Sequence, residues 1–313
     1  MKIGLVGTGG VGGFVAAFLA QGVHQVVALA RGAHLQAIAT KGLRLDGELA
    51  QLTVTNLQVA ERGQALGACD LVFVAVKTFD LDDCMPDLRA MVADHTVVVP
   101  LLNGITSADL LAERLGAARV IPGIIYVNSW VEAPGVIKQV GQLAKIVLGE
   151  AAGGVSERLH RLSDVITSAG IACELEQDVT RRNWEKFLGF EPMAVIGALS
   201  RSTIGTFRAH AQTRELLLSL MEEVARIGRA KGVALPADAV TKRMVIVDGL
   251  AEGATISMQR DLMAGRRSEF IEQSVGLLAL AKSLGVPTPA HDHYIPLLLL
   301  QEQAARAAQG KVS

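Results

Sequence analysis

The chain alternates two kinds of pattern. Through its first 177 residues, apolar runs of strand length are separated by turn residues and by stretches of helical periodicity. Residues 2–6 form the first run, residues 14–20 read as a helix, and residues 23–30 as a second strand. Residues 32–42 fit a short helix closed by a glycine. Residues 43–55 alternate apolar and polar side chains about Asp46-Gly47, which is a hairpin signal. Residues 69–76 and 97–102 are continuous apolar runs, as expected of parallel strands buried on both faces; residues 120–126 and 144–149 continue the series. From residue 178 the period becomes helical, with helices expected at 178–200, 215–232, 236–249, 269–285 and 291–309. Asp178 and Thr180 suit the start of the first, and Gly232, Gly249 and Gly285 suit the ends of later ones.

The turn between the first strand and the first helix carries the earliest chemistry. Gly7-Thr8-Gly9-Gly10-Val11-Gly12 matches G-x-G-x-x-G, and its strand–turn–helix setting is the one that a dinucleotide-binding loop requires. Gly7 permits the tight turn, Gly9 lets the backbone approach a pyrophosphate, and Gly12 lets the helix pack close to the strand. The pyrophosphate would rest on the helix N-terminus, where free N–H groups and the helix dipole favour an anion. These six residues are the candidate cofactor loop. The fold class that follows is α/β: a Rossmann-type doubly wound sheet over residues 1–177, then an all-helical C-terminal domain over residues 178–313, with the active cleft expected between them.

The second strand ends at Arg31, where an NAD-binding unit usually places an Asp or Glu for the ribose hydroxyls. A carboxylate there would repel a 2′-phosphate, whereas a planar guanidinium attracts it, so the cofactor expected is NADP(H) rather than NAD(H). Without that setting, Arg31 reads as a solvated loop residue. Lys77 and Asn103-Gly104 close two later strands, on the sheet edge where such folds bind ligands. Each has a plainer reading, Lys77 as a surface lysine opening a helix and Asn103 as a turn residue before glycine.

Composition narrows the class. A length of 313 residues suits two domains, and an apolar half supplies ample core. A formal charge of −1 argues against a nucleic-acid partner or an anionic membrane surface. Cys69, Cys84 and Cys173 are odd in number and lack metal spacing, so they are expected to be reduced thiols. No metal is indicated. No apolar run has the length of a transmembrane helix, and the N-terminal run is interrupted by glycines, unlike a signal peptide. A cytoplasmic globular protein is expected.

Three features of the helical half can carry chemistry. Lys186, within Asn183-Trp184-Glu185-Lys186-Phe187, follows a bulky aromatic and precedes mostly apolar residues. A lysine facing a partly dry cleft has its pKa lowered and can act as a general acid; taken alone, a Glu-Lys pair on a helix is more often solvated surface. The polar stretch 255–269 lies between two amphipathic helices, with Ser268 placed to cap the second and Glu269 in its first turn. His291-Asp292-His293 reads as a polar helix start and not as a metal site. The leucine-rich run 295–300 suggests a last helix buried internally or against a second subunit, so a homodimer is possible.

Taken as an ordered series, these pieces resemble the ketopantoate reductase family over essentially the whole chain. They are Gly7-x-Gly9-x-x-Gly12, Arg31-Gly32, Val76-Lys77-Thr78, Leu102-Asn103-Gly104, Trp184-Glu-Lys186-Phe187, Ser257-Met-x-x-Asp261, Arg267-x-Glu269 and Gly285-Val-Pro-Thr-Pro289. The resemblance implies an NADPH-binding Rossmann domain, a helical domain, and reduction of a 2-oxo acid to a 2-hydroxy acid. It implies that Lys186 protonates the carbonyl oxygen, that Glu269 and Ser257 help hold the substrate, and that Lys77 and Asn103 lie between cofactor and substrate. Family members acting on ketopantoate typically carry asparagines one and two helical turns past the lysine; here those positions are Phe190 and Ala194. Amides that would bond a hydroxyl have become a ring and a methyl, so a more apolar substrate pocket is expected. Glu191-Pro192 is expected to interrupt the helix near residue 188. Two other classes stay open: another dehydrogenase of the same architecture, of the 3-hydroxyacid or sugar-phosphate type, and a non-catalytic NADPH-binding sensor.

Overall fold

Each apolar run of the first half becomes a strand, but the strands divide between two sheets. The computed structural model describes residues 1–309, and the chain falls into two compact units, Met1–Val179 and Thr180 onward. In chain order the first unit contains β1 (Lys2–Val6), α1 (Gly10–Leu19), β2 (Gln25–Leu29), α2 (Gly32–Lys41), β3 (Leu43–Gly47), β4 (Gln51–Val54) and β5 (Gln58–Ala60). It continues with β6 (Cys69–Val74), α3 (Leu81–Ala90), β7 (Val92–Pro100), α4 (Ser107–Leu115), β8 (Gly123–Ala133), β9 (Val136–Leu148), α5 (Glu157–Ser168) and β10 (Ala172–Leu175).

One sheet has the order β5-β2-β1-β6-β7 with all neighbours parallel, so the chain winds outward in both directions from β1. The second has the order β10-β9-β3-β4, with β8 paired to β9. Here the expected series of parallel strands is corrected in part: Val120 makes a parallel bridge to Val98, but residues 123–126 and 144–148 lie in a long antiparallel β8–β9 hairpin of the second sheet, whose β9 also pairs in parallel with β3 and β10. A continuous apolar run marks burial on both faces but says nothing of the neighbouring strand's direction. The β3–β4 hairpin forms as expected, although its register, Leu43 against Val54 through Asp46 against Gln51, puts the turn at residues 48–50.

Helix α1 packs against β1 and β2 of one sheet and against β3, β8 and β9 of the other. A helix covered on both sides must be apolar all round, and seven of its ten residues are buried. Its small residues admit the second sheet, since a Cβ on Gly10 would meet the Ser129 carbonyl oxygen at 2.4 Å and one on Gly13 would meet Ile137 Cδ1 at 2.6 Å.

The second unit is helical: α6 (Val179–Ser200), α7 (Ile204–Ala209), α8 (Ala211–Ala230), α9 (Ala239–Asp248), α10 (Ser257–Met263), a π turn (Ile271–Val275) running into α11 (Gly276–Ser283), and α12 (Pro289–Gln309). Its spine is α6. Trp184, 1% exposed, packs on α8 at Gly228, Gln259 of α10 lies against Gly197, and Arg243 of α9 lies against Gly189. Three expectations are corrected. Glu191-Pro192 does not interrupt α6, which is one helix of 22 residues with Pro192 inside it. The stretch 255–269 contains a helix, α10, and residues 269–285 hold a π turn that period counting does not separate from α-helix. No helix among the described residues is long and apolar enough to cross a membrane.

Candidate active site

The parallel sheet collects the first group of candidates at its carboxyl edge. The glycine loop follows β1, Arg31 follows β2, Lys77 follows β6 and Asn103 follows β7. Within the loop, a Cβ on Gly12 would lie 1.8 Å from the Gly7 carbonyl oxygen, so any side chain at residue 12 pushes α1 off the turn. Around Gly9 a Cβ would meet nothing within 4 Å, which leaves the backbone at the head of α1 open to a ligand. Thr8 commits its hydroxyl internally, donating to the Leu29 carbonyl at 3.0 Å, so what it offers a ligand is backbone. Arg31 is exposed at the N-cap of α2 in extended conformation, and Lys77 is the N-cap of the short turn Thr78–Asp80. The Thr78 hydroxyl donates to the Asn103 carbonyl at 3.4 Å, linking the ends of β6 and β7.

A residue that the sequence reading overlooked braces this loop. His34 Nδ1 accepts the Gly135 N–H at 3.0 Å, so Nε2 carries the proton and donates to the Thr8 carbonyl at 2.9 Å. The imidazole is therefore neutral. Burial, opposed by the Thr8 carbonyl, lowers its pKa from the ordinary histidine value. Its partners lie 26 and 101 residues away, beyond any local signal.

The second group forms about Lys186 on α6. Trp184 and Phe187 are buried and pack edge to face with centroids 6.3 Å apart, which turns the opposite, partly exposed side of the helix toward Lys186 and Phe190. Lys186 Nζ stands over the Phe190 ring, 5.8 Å from its centroid. Burial pulls the lysine pKa down to about 8; Glu269 works to raise it, and Arg243 adds to the lowering. Glu269 is 1% exposed. Lys186 and Glu269 are thus brought together, with Arg243, which sequence reasoning missed because Thr241-Lys242-Arg243 looks like a solvated helix face. Ala194 is wholly buried and belongs to the packing of α6, so of the two substituted positions Phe190 is the one beside the lysine. Ser257 opens α10 and is partly buried; nothing among the described residues ties its hydroxyl to Lys186 or Glu269.

Two buried networks hold this group. Ser268 caps as expected, accepting the Phe270 N–H at 3.2 Å, and its own hydroxyl donates to Glu302 of α12 at 2.7 Å. Arg306 links Glu302 at 2.6 Å to Glu272 at 3.1 Å. The other network is centred on His291, which stands in the first turn of α12 and is 0% exposed. Its Nδ1 donates to Glu223 at 2.6 Å and its Nε2 to Glu191 at 3.1 Å, while the Ser274 hydroxyl donates to Glu191 at 2.6 Å. Burial acts to lower the imidazole pKa, but the two carboxylates overcome it and raise it to about 9. A signal was available in Glu223, a carboxylate set among Leu220, Met221, Val224 and Ile227 on α8. The network ties α6, α8, α12 and the π turn. Among the described residues no group of His, Cys, Asp and Glu is suited to hold a metal.

Comparison with known proteins adds an independent line. A family profile described as ketopantoate reductase PanE/ApbA matches residues 3–153, and its C-terminal counterpart matches residues 178–301. The chain is 32% identical to a 2-dehydropantoate 2-reductase of Mesorhizobium japonicum, across 95% of this chain and 97% of that one. It superposes on the crystal structure of 2-dehydropantoate 2-reductase from Geobacter metallireducens GS-15 with a TM-score of 0.90 at 27% identity, covering 96% and 99% of the two chains. A PanE/ApbA family ketopantoate reductase from Ralstonia eutropha JMP134 gives 0.89 at 26% identity, covering 98% and 100%.

Proposed function

The chain belongs to the ketopantoate reductase family, and we propose that Lys186, Glu269 and the residues about them carry out its reaction, the reduction of a 2-oxo acid to a 2-hydroxy acid. It is an NADP-dependent oxidoreductase of the 2-dehydropantoate 2-reductase kind. The observation that carries the assignment of roles is the lysine whose pKa is brought down to about 8 beside a buried carboxylate.

The residues present fit the cofactor. The open backbone about Gly9 and the close Gly7–Gly12 contact suit a pyrophosphate at the head of α1, and Arg31 at the end of β2 suits a 2′-phosphate. Gly7 to Gly12 and Arg31 would hold the dinucleotide, with Lys77 and Asn103 on the same sheet edge. Bound NADPH supplies the hydride that reduces C2 of the substrate. Lys186 does the rest of the chemistry. As an ammonium it stabilises the negative charge that develops on the carbonyl oxygen, then donates its proton to that oxygen, forming the hydroxyl, and recovers a proton from solvent. A pKa near 8 keeps the lysine charged at neutral pH and makes it a better acid than an ordinary lysine. Glu269 keeps the ammonium populated and orients it, and Ser257 is assigned to the substrate. Phe190 in place of an amide makes the pocket more apolar, so substrates larger or less polar than ketopantoate are accepted.

The test follows NADPH and NADH consumption by the purified protein with 2-oxo acids from ketopantoate to longer and aromatic analogues, with Lys186→Ala in parallel. The expected result is NADPH-preferring turnover that the variant loses. NADPH binding with no turnover of any 2-oxo acid would sink the assignment. We place the protein in the cytoplasm, in keeping with its three free thiols. We also propose a homodimer, because Leu297 and Leu300 of α12 are 53% and 66% exposed; a monomer in sedimentation at micromolar concentration would rule this out.

A further inference from the structure

In the two turns of α6 that follow Lys186, Phe190 and Ala194 stand where amides would receive a substrate's polar groups. A charged group reaches this stretch from another helix. The aliphatic stem of Arg243, on α9, lies across Gly189, where a Cβ would stand 2.6 Å from Arg243 Cδ, 3.0 Å from Cγ and 3.5 Å from Nε. Gly189 is three residues past Lys186 and therefore one turn along the same side of the helix. A side chain at residue 189 would displace the stem. The guanidinium so held lies within Coulombic range of the Lys186 ammonium, and Arg243 is partly exposed, so a ligand can reach it.

We propose that Arg243 binds the carboxylate of the 2-oxo acid, so that Lys186 is left to serve the carbonyl oxygen. This rests on the assignment of Lys186 as general acid. A guanidinium is a flat fork of N–H donors that matches the two oxygens of a carboxylate, and it stays charged at every working pH. An ammonium required both to hold the carboxylate and to deliver a proton would satisfy one demand at the other's expense. Two cations divide the work. The arriving carboxylate also places a negative charge near Lys186, which favours the protonated lysine while the substrate is bound. Gly189 acts as the positioning element by letting the stem cross α6.

The experiment measures kcat and KM for full-length wild type, Arg243→Gln, Arg243→Lys and Gly189→Ala, with ketopantoate and with its uncharged lactone. Losing a charge-assisted hydrogen bond corresponds to about 10–100-fold in binding. The expected result is a KM for the acid raised by that factor in Arg243→Gln, with kcat within about threefold and a smaller rise in Arg243→Lys. Gly189→Ala should shift KM in the same direction while keeping its melting temperature within a few degrees. Wild type and Arg243→Gln should handle the lactone alike, whatever its absolute rate. An unchanged KM for the acid, or loss of acid and lactone turnover in equal proportion, would overturn the role of Arg243 while leaving the reductase assignment standing. Absence of 2-oxo acid turnover in the wild type would overturn both, and so tells the two failures apart.

Discussion

Lys186 is exposed to two opposed influences, and their balance sets its use. Burial and Arg243 disfavour the ammonium, Glu269 favours it, and the outcome is a pKa of about 8. The proton donor is present below that value and lost above it. With saturating NADPH, kcat/KM for a 2-oxo acid should therefore fall as pH rises through about 8. Lys186→Gln should lower kcat/KM by roughly 10²–10⁴-fold, the usual weight of a positioned general acid, while NADPH affinity measured by fluorescence titration stays within about twofold. His34 is the residue to test on the cofactor side. Its two hydrogen bonds to Thr8 and Gly135 are worth about 1 kcal/mol each, so His34→Ala should weaken NADPH binding by up to about 30-fold, read by the same titration. The lysine was legible in the sequence from its aromatic neighbours; His34 was not, because both of its partners are backbone groups remote in the chain.

At the scale of elements, the glycine loop was legible because its constraints are local. Strand, turn and helix follow one another directly, and the contact that excludes a side chain at residue 12 lies only five residues back, at Gly7. Gly12→Ala should push α1 away from β1 and, by overpacking, lower stability by about 1–3 kcal/mol, seen as a reduced melting temperature together with weakened NADPH binding. The continuity of α6 was not legible. Pro192 removes a hydrogen-bond donor and ordinarily ends or kinks a helix. Here the residue before it, Glu191, is held by Ser274 and His291, both distant in sequence, and the helix continues to Ser200. The π turn was hidden for a related reason, since one extra residue in a turn leaves the apolar periodicity of residues 269–285 nearly unchanged.

For the molecule as a whole, the His291 network makes the stability of the helical unit depend on pH. The imidazole pKa rises from 6.5 unfolded to about 9 folded, so the folded state holds the proton more tightly. This stabilisation is fully present below about 6.5 and is lost as pH rises through about 9. The melting temperature should decline across that window. The relief of Lys186, whose folded pKa is lowered, works in the opposite direction above about 8. His291→Gln should lower the melting temperature near neutral pH and flatten the decline, because Glu191 is then left buried without its cation while Glu223 retains Arg226 at 3.7 Å, a loss of about 3–5 kcal/mol. A wild-type melting temperature that does not change between pH 6.5 and 9 would remove the network from this role.

The sequence by itself determined the order of the elements, the dinucleotide loop, the change from α/β to helix, and Lys186 as the residue to examine. The first three rest on a periodicity or a turn requirement satisfied within a few residues of chain; Lys186 rests on its aromatic neighbours and on the family resemblance. Only the tertiary structure decided that β8 and β9 form an antiparallel hairpin in a second sheet, that His291 is a buried cation, that His34 braces the loop, and that Arg243 crosses α6 at Gly189. These depend on which side chains meet across long separations. There, burial and the company of other charges fix protonation and role, and no local pattern records either.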